Sequence, residues 1–131
     1  MIVDASAVLA ILFAESDAPR FSAAIEAAPD TAMSAVNWFE AAIALDRRGT
    51  GRQIGEFSEL LEGLGTEVVP FDAVQAALAR RAYATWGKGR HPASLNLADC
   101  AAYALARSRA EPLLFKGNDF ALTDIAPALR D

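Results

Sequence analysis

Four acidic residues are spaced along the chain so that an α/β fold would bring them to one cleft. Asp4 follows a three-residue apolar start, and Glu40, Asp99 and Asp119 come later in the chain. Clustered carboxylates repel one another, which raises their pKa values, and a divalent cation removes this repulsion. Oxygen-only ligands favour Mg²⁺ or Mn²⁺, with waters completing the coordination shell. Such a site can activate water and hydrolyse a phosphodiester bond.

Each of these acids also has a purely structural interpretation. Asp4 and the Asn96–Asp99 pair stand at predicted helix starts, where their side chains would accept backbone hydrogen bonds. Glu40 would be an exposed residue paired with Arg47, and Asp119 would belong to a turn. Residue by residue these alternatives stay open. The metal site is favoured because two acids follow predicted strands and two lie on inner helix faces.

The elements that must position the acids are short apolar strands alternating with helices. Strands are predicted at residues 1–3, 31–33, 66–69 and 113–115. Helices are predicted at 5–13, 17–28 (capped by Ser16), 34–48, 54–61, 72–86 and 97–108, and residues 123–126 are either a last short strand or irregular. This alternation indicates parallel pairing through βαβ units. We therefore predict an α/β fold, a three-layer α/β/α sandwich with a small central parallel sheet, whose ligands bind where strands end.

Composition limits the class of protein. A chain of 131 residues is expected to form one domain, over residues 1–131. The net charge of −5 argues against a general nucleic-acid coat but not against a nuclease. The single cysteine, Cys100, cannot form an internal disulfide and indicates a reducing, cytoplasmic setting. No apolar run reaches the roughly 18–20 residues of a membrane span, so no membrane association is expected.

Basic residues near the acids are candidates for binding substrate phosphates. Lys88 and Arg90 lie in the longest clear loop, at 87–92, and Lys116 lies close to Asp119. Contacts of this kind would weaken as salt increases. The alternative for Lys88 and Arg90 is a solvated helix face or helix end.

Four segments resemble the PIN-domain ribonucleases, and among these the VapC toxins of bacterial type II toxin–antitoxin pairs. The segments are Met1 to Ser6, Ser34 to Glu40, Asn96 to Ala104, and Pro112 to Phe120. The resemblance runs the length of the chain, and the last two segments are its most specific part.

The resemblance implies a PIN-like sandwich in which the four acids bind Mg²⁺ or Mn²⁺ and activate water for RNA cleavage. Asp4 and Asp99 would be the principal ligands. Ser6 matches a small hydroxyl position near the metal, and Asn96 is expected to orient Asp99. The implied partners are the RNA substrate, a cognate VapB-like antitoxin that covers the active site, and a second copy in a homodimer.

The leading hypothesis is a metal-dependent endoribonuclease toxin. The alternative is a catalytically silent PIN-fold module that binds RNA or protein and uses its acids only to cap helices. A phosphoacceptor or a haloacid-dehalogenase-like phosphatase is a third hypothesis. It requires a second Asp two residues after Asp4, where this chain has Ser6.

Overall fold

The sheet consists of four short parallel strands in the order β3-β2-β1-β4. The computed structural model describes residues 1–130. The strands are β1 (Ile2–Val3), β2 (Ala32–Ser34), β3 (Glu67–Val69) and β4 (Leu113–Leu114). Ile2 pairs with Leu113 and Val3 with Leu114, so β1 and β4 are neighbours and end at the same edge. The predicted strand at 31–33 lies one residue further on, at β2.

Six helices connect and cover these strands. They are α1 (Ala5–Leu12), α2 (Ala18–Ala27), α3 (Ala35–Arg48), α4 (Gln53–Leu64), α5 (Ala73–Trp86) and α6 (Leu97–Arg109), and a 3₁₀ turn follows at Phe120–Leu122. The fourth helix is longer than predicted, because it continues through Gly63 and ends at Gly65, whose φ of 64° is left-handed.

The predicted Ser16 cap is wrong. Asp17 occupies the N-cap position of α2, and its side chain makes no capping hydrogen bond. The Asp17 carboxylate lies instead 3.2 Å from the Lys116 ammonium. A charged partner from a distant segment has thus replaced the local cap.

Alternating strand residues face two separate cores, which confirms the three-layer arrangement. Ile2, Ala32 and Leu113 pack in a cluster with residues of α5 and α6. Val3, Met33 and Leu114 pack in a second cluster with residues of α1 to α4. Successive strand side chains point to opposite faces, so the sheet is covered by helices on both sides.

Two further features complete the fold. Residues 123–126 are irregular, and the chain returns to the sheet only through an isolated bridge between Leu113 and Pro127. Among residues 1–130, no helix combines the length and the apolarity needed to cross a membrane.

Candidate active site

Asp4 lies between the end of β1 and the start of α1, and it is the most buried of the four acids. It caps α1: its Oδ2 accepts from the Ser6 amide at 3.0 Å and from the Ser6 hydroxyl at 2.6 Å. The side chain is buried, with 4% of the residue exposed. Burial raises the pKa of Asp4, the Ser6 hydrogen bonds lower it, and the charge of Asp119 raises it further.

Ser6 joins the ends of the neighbouring strands β1 and β4. While its hydroxyl donates to Asp4, its Oγ accepts a hydrogen bond of 2.9 Å from the Lys116 amide, just beyond β4. The Asp4 amide also donates to the Leu114 carbonyl at 2.9 Å. The resemblance predicts that Ser6 lies near the metal. In the structure, its contacts hold the Asp4 carboxylate against the end of β4.

Asn37 is a site residue to which the sequence analysis assigned no role. It is fully buried on α3, and its Nδ2 donates to the Ala98 carbonyl at 3.0 Å, with the Asp4 Oδ1 at 3.5 Å. Its Oδ1 is buried without a hydrogen-bond partner among the described residues. The available signal was its place one turn before Glu40 on an otherwise apolar helix face. Asn37 connects α3, the start of α6 and Asp4.

Glu40 is half-buried on α3, one turn after Asn37. Its pKa is raised to about 7, mainly by burial and then by the charges of Asp4 and Asp99, while a hydrogen bond from Asn37 opposes the shift. No salt bridge joins Glu40 to Arg47 in the part of the chain that the structure describes. The exposed, Arg47-paired alternative is therefore wrong, since Glu40 belongs to the acidic cleft.

Asp99 lies in the first turn of α6 and forms a capping box with Asn96. The Asp99 amide donates to the Asn96 Oδ1 at 2.8 Å, and the Asn96 amide donates to the Asp99 Oδ2 at 3.0 Å. Burial raises the pKa of Asp99 to about 6, the Asn96 amide lowers it, and the charges of Asp4 and Asp119 raise it. Asn96 and Asp99 therefore form the predicted helix cap, and Asp99 is also coupled electrostatically to the other acids.

Asp119 is exposed at the start of the 3₁₀ turn, and its side chain makes no capping hydrogen bond. Its charge raises the pKa values of Asp4 and Asp99. Asp119 therefore lies at the open side of the same group. The fold brings all four predicted acids into one electrostatically coupled cluster.

The three predicted phosphate-binding cations differ in their surroundings. The Lys116 ammonium contacts the Glu15 carboxylate and lies 3.2 Å from Asp17. Lys88 and Arg90 are exposed, and neither has a salt-bridge partner within residues 1–130. To contact a phosphate, Lys116 would first have to break its ion pairs with Glu15 and Asp17. Lys88 and Arg90 have no such ion pairs to break within residues 1–130.

The donor set fits a hard divalent cation. It consists of carboxylates alone, three of them with pKa values raised by burial and by neighbouring acids, and the unpaired Asn37 Oδ1 lies beside them. Among residues 1–130, no three Asp, Glu, His or Cys side chains are placed to hold one ion together. The expectation that all four acids bind the cation together is therefore not supported by the geometry. Mg²⁺ usually keeps several waters and takes only one or two carboxylates, so a pair such as Asp4 and Asp99 would be compatible with it.

Known proteins share this fold and sequence. The PIN domain family model matches residues 1–126. Ribonuclease VapC42 of Mycobacterium tuberculosis is 45% identical over 129 residues, covering 98% of each chain. Ribonuclease VapC30 of the same species is 44% identical over 126 residues, covering 96% of each.

Two solved structures support the fold. The crystal structure of Mycobacterium tuberculosis VapC20, a Sarcin-Ricin loop cleaving toxin, has a TM-score of 0.79 at 15% identity and covers 95% of both chains. A toxin–antitoxin complex from Klebsiella pneumoniae has a TM-score of 0.67 at 18% identity, covering 94% of this chain and 92% of that one. The fold is therefore that of a PIN domain. The chain belongs to the PIN-domain family and, within it, to the VapC ribonucleases.

Proposed function

We propose that this chain is the endoribonuclease toxin of a VapBC-like toxin–antitoxin pair, acting in the cytoplasm as a single domain over residues 1–131. The observation that carries the proposal is the group of acids in one cleft, three of which have pKa values raised mainly by burial and further by neighbouring carboxylates, so that keeping them charged is costly unless a cation compensates them. The VapC names of its relatives support ribonuclease activity. The substrate is RNA and the cofactor is Mg²⁺ or Mn²⁺.

In this proposal each polar residue of the cleft has a defined task. Asp4 and Asp99 hold the cation directly, and Glu40 and Asp119 complete its surroundings. Ser6 and Asn37 hold Asp4 in place, and Asn96 orients Asp99. When bound, the cation supplies an activated water and stabilises charge on the phosphodiester.

The proposed protein partners are a cognate antitoxin and a second copy of the chain in a homodimer. Phe39 on α3 is 61% exposed although it precedes Glu40, and Ile43 one turn later is also exposed. This apolar surface beside the acids suits an antitoxin segment that would cover the cleft. The related toxin–antitoxin complex supports a protein partner of this type.

A catalytically silent binding module is the second candidate. It is favoured by the capping contacts of Asp4 and Asp99, since each acid already has a complete structural role. One assay separates the two functions. The purified chain is incubated with total RNA in Mn²⁺, in Mg²⁺ and in EDTA. We expect defined cleavage products with either metal and none in EDTA, whereas intact RNA in all three conditions would favour the silent module.

A further inference from the structure

A mostly apolar cavity of about 620 Å³ lies beside the acidic cleft, between α5 and α6. Its walls come from α5 and from the first turn of α6, and they include Ala79, Tyr83, Leu97 and Cys100. Asn96 also lines it, so the cavity and Asp99 share one helix turn. Leu97 stands at its edge with 74% of the residue exposed. The cavity therefore opens next to the proposed cleavage site.

Two cations that form no salt bridge within residues 1–130 line this cavity. Arg80 and Lys88 line it, and Arg81 and Arg90 are their neighbours in the chain. Residues 73–98 contain no Asp or Glu, although the chain carries 17 acids in total. None of these four cations forms a salt bridge within residues 1–130. An apolar hollow edged by unpaired cations is complementary to a flexible polyanion that carries flat apolar rings.

The side chain of Tyr83 gives the cavity a suitable wall. Its hydroxyl donates to the Lys88 carbonyl at 3.1 Å, which ties the ring to the loop that carries the cations. The residue is 40% exposed. Single-stranded RNA is commonly bound by stacking unpaired bases on aromatic rings while cations follow the phosphates.

We propose that this cavity is a base-binding subsite: it takes one unstacked nucleobase of the RNA next to the cleaved phosphodiester, while Arg80 and Lys88 contact the adjoining phosphates. The proposal rests on the proposed ribonuclease function and adds a site to it. A second copy of the chain fits less well. In a symmetric dimer this face would meet itself, and residues 73–98 offer no acid to balance the cations.

The test compares two fluorescent single-stranded RNA oligonucleotides, one intact and one with a run of abasic positions, whose phosphates are the same. Binding to the full chain is measured by fluorescence anisotropy in EDTA, so that no cleavage occurs. We expect the chain to bind the intact strand about tenfold more tightly, since stacking is the main difference between the strands. Equal binding of both strands would overturn the proposal.

Two variants test whether the preference for the intact RNA strand arises in the cavity. Ala76→Phe fills it from an exposed lining position of α5, and Tyr83→Leu removes the ring. Both should lose the preference for the intact strand. Val74→Phe, at an exposed position of the same helix outside the cavity, should keep it. Circular dichroism selects the variants that are folded, and either cavity variant suffices.

Further results would also overturn the proposal. The first is an unchanged preference for the intact strand in folded Ala76→Phe or Tyr83→Leu. The second is a change of molar mass in Ala76→Phe, measured by light scattering, with RNA discrimination intact, because the cavity would then belong to a protein interface. The third is absence of RNA binding and of Mn²⁺-dependent cleavage in the wild type, which would overturn the proposed function as well. Cleavage without base discrimination would overturn the subsite alone.

Discussion

The acidic cleft and the cationic face of α5 arrange their charges in different ways. In the cleft, Asp4 and Asp99 are held by hydrogen bonds from Ser6, Asn37 and Asn96 despite their mutual repulsion. On the neighbouring face, Arg80 and Lys88 project without acidic partners from the described residues. Within residues 1–130 no salt bridge joins the cleft acids to these cations. Both sets of charges therefore remain available to a partner outside the chain.

The largest expected effect is loss of cleavage in Asp4→Asn and Asp99→Asn. Asparagine can still accept the capping hydrogen bonds, so the metal-free melting temperature should stay the same or rise as repulsion falls. The loss of cleavage should exceed the roughly 10- to 100-fold typical of residues that only support a metal ligand. Gel assays with Mn²⁺ and thermal melts measure the two quantities. Cleavage that survives in both variants would remove the acids from the mechanism.

Asn37→Ala should have the next largest effect. It removes the hydrogen bond to the Ala98 carbonyl and the contact with Asp4, so we expect a weaker Mn²⁺ affinity by about 10- to 100-fold and a loss of stability of about 0.5–1.5 kcal/mol. Electron paramagnetic resonance of free Mn²⁺ measures the affinity directly.

The matched control is Thr31→Val. It removes another polar contact, the part-buried 2.7 Å hydrogen bond between the hydroxyls of Thr31 and Thr66, which directly precede β2 and β3. Stability should fall while Mn²⁺ affinity stays unchanged. An equal loss of affinity in both variants would mean that Asn37 acts through general stability only.

The acidic cleft should also make the metal-free protein less stable as pH rises. The pKa values of Glu40 and Asp99 are raised to about 7 and about 6, above those of the unfolded chain. Groups with raised pKa values contribute stability below their unfolded pKa, and this is lost as pH rises through the folded values. The melting temperature in EDTA should therefore fall between about pH 4 and pH 7.

Mg²⁺ or Mn²⁺ should raise the melting temperature most at the upper end of that range, because the carboxylates are then charged and bind the cation. The double variant Glu40→Gln with Asp99→Asn is the control, and its pH dependence should be flatter. A wild-type protein that becomes more stable in EDTA as the acids ionise would contradict the coupled cluster.

The smallest expected effect concerns the lysines that are candidates for binding RNA phosphates. Lys88→Met should reduce the salt dependence of RNA binding, by about 0.7 in the slope of log affinity against log salt for a single strand. Lys116→Met should leave the slope nearly unchanged, because Lys116 is already paired with Glu15 and Asp17. Arg52→Gln, an exposed cation before α4, is the control. Equal slopes for Lys88→Met and Lys116→Met would show that the Lys116 ion pairs do not restrain it.

The parts of the site that depend on neighbouring residues could be predicted from sequence. Asn96 and Asp99 are only three positions apart, and Asp4 follows a strand that begins almost at once, so both acids lie at the helix starts where they were predicted. The parallel strands also followed from local alternation with helices, although their ends shifted by a residue.

The long-range contacts could not be predicted in the same way. Asn37 reaches a carbonyl 61 residues away, and Ser6 is bonded by an amide 110 residues away. Lys116 pairs with acids 101 and 99 residues away. No spacing rule in the sequence encodes such pairings. They appear only once the strands are ordered, and the cavity beside Asp99 depends in the same way on how α5 packs on α6.

The Ser6 contacts have a consequence for how Asp4 exchanges its ligands. The Lys116 amide can only donate, so it directs the Ser6 hydroxyl proton towards Asp4, and one carboxylate oxygen is then saturated by the Ser6 amide and hydroxyl. The other oxygen, Oδ1, has only the long 3.5 Å contact from the Asn37 amide and is the atom left for an incoming ligand. A proton and a dication therefore compete for the Asp4 Oδ1 atom, so protonation of Asp4 and binding of the metal by Asp4 exclude each other.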